Sequence, residues 1–137
     1  ALNGLIGSGV PQVWTTHMIG HELTAIFGLD HGKTLAILQP SVWQIRKENK
    51  REKLLQYAER VWNIIEGDDD SKIDSAINKT RAFFEDLGIK THLSDYGITS
   101  DKIDDVIVAL EKHGMTALSE TGDLTPNICR EILENAL

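Results

Sequence analysis

The sequence has little of several features that mark common classes of protein. Its single cysteine, Cys129, cannot form an internal disulfide, which fits a reducing compartment such as the cytoplasm. With a net charge of -7, the chain lacks the excess of basic residues that binding to nucleic acid or to an anionic membrane requires. No apolar run approaches the roughly 20 residues that cross a bilayer, and no signal-peptide pattern opens the chain. We therefore expect a cytoplasmic protein whose partners include neither nucleic acid nor membrane.

Sustained alternation of apolar and polar residues is also lacking, so the sequence predicts no β-strand. Apolar residues instead recur at helical spacing, between residues that typically begin or end helices. The predicted helices cover residues 12–27, 32 to about 46, 54 to about 66, 69–87, 103–110 and 126–137, and residues 1–10 read as a helix end. The fold class is therefore all-α, with one domain over residues 1–137.

One stretch concentrates titratable groups among apolar and small residues. Residues 14–34 hold three of the five histidines, His17, His21 and His31. His17 and His21 are four positions apart and share a face of the first predicted helix, while His31 follows the helix stop at Gly28. Because both flanking helices are apolar nearly all round, we expect them to form a buried central hairpin.

Two interpretations of these histidines remain open from the residues alone. Imidazoles at i and i+4 can chelate a divalent metal, and a third from an adjoining loop can complete part of the site. The metalloprotease motif H-E-x-x-H is excluded, because Met18 follows His17. The alternative is three core histidines whose ring nitrogens are satisfied by backbone carbonyls. Three in one hairpin favour a metal or catalytic site, whereas the isolated His92 and His113 are predicted to be structural.

The same residues carry a resemblance to a known family. It rests on residues 14–34 with their three histidines, on the helix at 54–62, on the loop at 93–97 and on the Thr125-Pro126 cap. Together these resemble the C-terminal signature of the iron-containing (group III) alcohol dehydrogenases, in the branch of the butanol dehydrogenases and NADPH-dependent aldehyde reductases. The resemblance runs over the whole chain. It implies an oxidoreductase with an N-terminal α/β nucleotide-binding domain and a C-terminal all-helical metal-binding domain, of which this chain matches the second.

The resemblance also implies roles for the three histidines. In the family, the catalytic metal, iron or zinc, is bound by two histidines with the same separation as His17 and His31. The histidine at the position of His21 lies near the nicotinamide of NAD(P), so His21 is the candidate catalytic and cofactor-binding residue, as a proton relay. The metal acts as a Lewis acid on a small alcohol or aldehyde, while hydride passes to or from the cofactor. This differs from the spacing argument, which pairs His17 with His21.

The family's other two metal ligands and its glycine-rich cofactor loop come from earlier in the chain and have no counterpart here. The abrupt apolar start at Ala1 likewise suggests a piece of a longer protein. We expect weak metal binding and no dehydrogenase activity from this chain alone. Loss of the partner domain is expected to expose the face around Trp14 and His17 and to favour a homo-oligomer. The rival hypothesis is a stand-alone helical binding or metal-carrier module without catalytic activity.

Overall fold

The computed structural model describes residues 8–9 and 12–137, and the periodicity of this part of the chain produces six α-helices. They are α1 (Thr15–Phe27), α2 (His31–Ile45), α3 (Arg51–Trp62), α4 (Asp69–Asp86), α5 (Ile103–Lys112) and α6 (Pro126–Asn135). Two short 3₁₀ helices, Leu93–Tyr96 and Ser100–Lys102, connect α4 to α5. The described residues contain no strand, only one isolated antiparallel bridge between Leu118 and Leu124. The all-α prediction is confirmed. The helix end predicted at residues 1–10 lies outside the described residues, apart from a turn at Ser8 and Gly9.

Most helix ends follow the local signals in the sequence. Gly28 ends α1 in the left-handed conformation, with φ at 70°. Glycine adopts this conformation at little energetic cost because it has no side chain. Asp68 begins α4, because its carboxylate accepts a hydrogen bond from the backbone N–H of Ser71 at 3.0 Å. Acidic residues in the first turn also suit the positive end of the helix dipole.

Several details of the helix ends differ from the prediction. α1 begins at Thr15 rather than at Gln12, and α3 begins at Arg51 rather than at Leu54. α3 stops at Trp62 rather than near Glu66, because Asn63 adopts a left-handed conformation with φ at 52° and its N–H bonds back to α3 carbonyls. At α6, Thr125 precedes Pro126 at the first helical position as predicted, but the Thr125 side chain makes no capping hydrogen bond.

α2 is the central element of the fold. It packs against α1, α4 and α6, and α5 closes the core by contacting both α1 and α6. A smaller cluster joins α3 to α4 beside α2. The main core consists of fully buried aliphatic side chains from α1, α2, α5, α6 and the loop before α5, among them Ile19, Leu23, Ile37, Leu38, Leu93, Leu110, Ile132 and Leu133. No helix in the described part of the chain is both long and apolar enough to span a membrane.

The prediction of a buried hairpin is wrong for one face of α1. This helix buries one face, including Ile19 and Leu23, while Trp14 stays 48% exposed and Ile26 39% exposed. An apolar helix covered on one side only leaves a second apolar face open. The histidines of α1 lie on that open face: His17 is half-buried and His21 is exposed.

Candidate metal centre

His17, His21 and His31 come together where α1 turns into α2. His31 is the first residue of α2, and the short connection at residues 28–30 folds it back toward α1. The ring centres of His17 and His31 are 5.0 Å apart, and those of His21 and His31 are 5.3 Å apart. The rings of His17 and His21 are 6.1 Å apart. The three histidines singled out in the sequence therefore form one cluster.

The start of α2 is held by short-range contacts. The N–H of Gly28 donates to the carbonyl of Thr24 at 2.9 Å, which closes the end of α1. At the beginning of α2, Lys33 forms an exposed ion pair with Asp30 at 2.6 Å. The Thr34 hydroxyl donates to the carbonyl of His31 at 2.8 Å, so the backbone that carries this histidine is tied into the first turn.

A close approach at Gly20 sets the separation of the two helices. A Cβ atom on Gly20 would lie 2.8 Å from Oγ1 of Thr34 and 3.4 Å from its Cβ. Thr34 is fully buried, so it has no free space to move into. Position 20 must therefore lack a side chain for His17 and His21 to approach His31. Sequence reasoning gave Gly20 no role, although a glycine inside a helical pattern is a signal of close packing.

The ring separations test whether these histidines fit a metal ion. A metal–nitrogen bond of about 2.1 Å places the centre of a coordinated imidazole about 3.2 Å from the ion. At the octahedral or tetrahedral angles of roughly 90° to 110°, two such rings are about 4.5 to 5.3 Å apart. The pairs of His31 with His17 and with His21 fit this range, at 5.0 and 5.3 Å. The pair that sequence spacing suggested, His17 with His21, lies outside this range at 6.1 Å.

The cluster does not by itself form a metal site. Among the described residues, no group of three or more His, Cys, Asp or Glu side chains is arranged to hold a metal ion. This agrees with the ring distances. They suit an ion bound by His31 together with either His17 or His21, but not an ion bound by all three. Two imidazoles are donors that divalent iron and zinc both accept, and they leave further coordination positions to other groups.

The electrostatics favour the metal-binding form of His17. Partial burial lowers the pKa of this imidazole, and the neighbouring His31 and His21 lower the pKa further. A lowered pKa keeps the ring neutral near pH 7, and the neutral ring is the form that binds metals.

The other two histidines lie outside the cluster. His113 follows α5, and its Nδ1–H donates to the buried carboxylate of Glu22 at 2.7 Å, which joins the end of α5 to α1. The sequence placed His113 at a helix end, but it gave no sign of a partner 91 residues away. His92 lies near Arg81, with Nε2 3.4 Å from the guanidinium.

Comparison with known proteins identifies the family. Residues 5–127 match the Fe-containing alcohol dehydrogenase family, C-terminal part. The chain belongs to the iron-containing alcohol dehydrogenase family. This family member is 60% identical over 136 residues to the NADPH-dependent aldehyde reductase YqhD of Escherichia coli (strain K12), an alignment that covers 99% of the chain and 35% of the relative.

Two further comparisons agree with the assignment to the iron-containing alcohol dehydrogenases. The chain is 34% identical over 137 residues to the NADH-dependent butanol dehydrogenase A of Clostridium acetobutylicum, covering 98% of the chain and 34% of that relative. The crystal structure of E. coli K-12 YqhD superposes with a TM-score of 0.94 at 60% identity, covering 99% of the chain and 35% of that structure. The predicted family, its branch and the helical C-terminal fold are thus confirmed. The chain spans about a third of the length of these relatives.

Proposed function

We propose that this chain is the metal-binding part of an NAD(P)-dependent oxidoreductase that interconverts small alcohols and aldehydes, with His17 and His31 as metal ligands. The observation that carries the proposal is the 5.0 Å separation of these two rings at the α1–α2 turn. It occurs in a chain that is 60% identical to an NADPH-dependent aldehyde reductase. The pair of His21 with His31 has nearly the same separation, at 5.3 Å, and the choice of His17 is supported by the family resemblance of the sequence.

The chain's own residues have distinct tasks in this proposal. His17 and His31 donate neutral ring nitrogens to iron or zinc from the two sides of a turn. The bound ion supplies Lewis-acid chemistry, which polarises an aldehyde carbonyl or stabilises an alkoxide. His21 lies within 5.3 Å of the His31 ring and is exposed, so it can contact the nicotinamide and pass a proton to or from the reacting oxygen.

We propose that substrate and cofactor reach the site at the open face of α1. Trp14 is 48% exposed, and its ring lies edge-on to that of His17, with 5.4 Å between the ring centres. We propose that residues 1–137 form one helical domain, and that an N-terminal nucleotide-binding domain covers this face. That domain is proposed to supply an Asp and a His ligand and the cofactor loop. Aldehyde-dependent NADPH oxidation by the 137-residue chain alone would contradict this.

The homo-oligomeric state and the cytoplasmic location stay predictions.

Titration calorimetry of the chain with Zn²⁺, and with Fe²⁺ under anaerobic conditions, tests the ligand assignment. We expect His17→Ala and His31→Ala each to weaken binding by about tenfold or more, since even residues that only support ligands contribute that much. His21→Ala is expected to keep the wild-type affinity. His92→Ala, which removes a histidine outside the cluster, is the matched control. An equal loss in His21→Ala and His17→Ala would show that the ligand pair is wrongly assigned.

A further inference from the structure

A polar cavity lies between α2, α4, the loop that follows α4 and the end of α6. It has a volume of about 300 Å³, and its lining includes Gln44 of α2, Asn78 and Arg81 of α4, His92 and Asn135. It is separate from the histidine cluster, because its nearest α2 residue, Pro40, lies nine positions beyond His31, or about 13 Å along the helix axis. Neither the proposed function nor the family resemblance uses this cavity.

Arg81 is the dominant charged group of the cavity. One guanidinium nitrogen donates to the carbonyl of Thr91 at 2.8 Å and lies 3.4 Å from Nε2 of His92. The other terminal nitrogen lies 3.5 Å from the hydroxyl of the buried Ser41. A guanidinium carries five N–H groups, so these contacts leave donor capacity unused.

The charge of Arg81 has no counter-ion in contact with it. Arg46, Arg51 and Arg130 each contact a carboxylate oxygen within 2.6 Å. By contrast, no carboxylate among the described residues lies within 4.0 Å of the half-buried Arg81, and residues 1–7, 10 and 11 include no Asp or Glu. Burial lowers the pKa of Arg81, and attraction to Glu85 offsets this only in part.

The surrounding acids are already engaged. Glu85 accepts a hydrogen bond from the Thr91 hydroxyl at 2.6 Å. Asp74, which is bonded to Gln44 at the cavity edge, forms an ion pair with Lys47 at 2.8 Å. The cavity therefore combines a half-buried cation with polar amide side chains and with no carboxylate on its lining. A half-buried charge in such a setting is stabilised by an ion of opposite sign.

We propose that this cavity binds a phosphate-type oxyanion on Arg81, with the side-chain amides of Asn78 and Asn135 as further donors. The planar guanidinium suits two oxygens of one tetrahedral anion, which a point charge such as lysine matches less well. The volume of about 300 Å³ exceeds that of a lone phosphate, so the phosphate group of a small metabolite also fits. Both sources present the same chemistry to Arg81.

A phosphate titration of the ¹⁵N-labelled chain, followed by amide chemical shifts at constant ionic strength in chloride, tests the proposal. We expect saturable shifts confined to the amides around Ser41, Arg81 and His92. Arg81→Gln is expected to weaken binding by about tenfold or more, since a hydrogen bond to a charged group is lost. Lys79→Gln, the same change of charge on an exposed residue of the same helix, is the control and is expected to bind as wild type. In a parallel titration, tighter binding of glycerol phosphate than of inorganic phosphate would indicate a metabolite as the natural source.

Arg81→Gln also removes the contact with the Thr91 carbonyl, which contributes to folding. A second variant therefore tests the proposal with this contact left in place. Asn78→Asp adds a negative charge to the cavity at an exposed position of α4 and is expected to weaken phosphate binding in a chain with wild-type circular dichroism. Unchanged affinity in this folded variant would overturn the proposal. So would the absence of saturation, or an equal loss of affinity in Lys79→Gln.

Discussion

Gly20→Ala directly perturbs the packing that holds the histidine cluster together. The new Cβ would meet Oγ1 of Thr34 at 2.8 Å, while an unstrained contact needs several tenths of an ångström more. Thr34 is fully buried and its hydroxyl is held by the His31 carbonyl, so the strain must be relieved by moving α1 away from α2. Overpacking of this kind costs about 1–3 kcal/mol.

A gain in helix propensity opposes this cost. Alanine is favoured over glycine inside a helix by about 1 kcal/mol. The net loss in the free energy of unfolding for Gly20→Ala is therefore roughly 0–2 kcal/mol, a range too close to zero for the single variant to decide. Gly32→Ala provides the matched control, because Gly32 also lies in a helix and a Cβ there would meet nothing within 4 Å.

Urea denaturation followed by circular dichroism measures both variants. Because the change in residue type is the same, most of the difference between them reflects the steric cost, and we expect Gly32→Ala to be more stable by about 1–3 kcal/mol. Adding Thr34→Ala to Gly20→Ala is expected to recover part of the loss, as a non-additive coupling between contacting residues. A Gly20→Ala chain as stable as Gly32→Ala would refute the close approach of α1 and α2.

Two further predictions concern other parts of the fold. Burial raises the pKa of the Cys129 thiol to about 11, so we expect a thiol-specific reagent at pH 8 to modify the chain only after unfolding in urea; rapid modification of the folded chain would contradict this. The Arg46 guanidinium holds the pKa of Asp123 well below its usual range, so the stability this pair contributes is complete above the unfolded pKa of about 3.9 and is lost as pH falls below it. The stability difference between wild type and Asp123→Asn should accordingly shrink from about pH 5 to pH 2, and a constant difference would count against the ion pair.

The helices could be predicted from the sequence because their signals are local. Apolar spacing, the Gly28 stop and the Asp68 cap all act within one or two turns, and the structure follows them. The end of α3 is an exception. The apolar pattern continues beyond Trp62, but Asn63 tolerates a left-handed backbone and ends the helix there. Periodicity alone also could not show that α1 lacks a neighbour on its second face, since that depends on what packs around it.

The grouping of the three histidines could be predicted from the sequence, but the distances between their rings could not. The sequence brought His17, His21 and His31 into one group, and the resemblance favoured His17 with His31. Which rings approach each other depends on how closely α1 and α2 cross, and that distance is set by the contact between Gly20 and Thr34. The bond between His113 and Glu22 joins residues far apart in the chain, so no local pattern indicates it.

A crystal structure of the chain soaked with Zn²⁺, with anomalous data collected at the zinc edge, tests the central claim most directly. We expect one anomalous peak between the rings of His17 and His31, about 2.0–2.1 Å from a nitrogen of each, with His21 uncoordinated. A peak shared by His21 and His31 with His17 free, or no peak at the α1–α2 turn, would contradict the account.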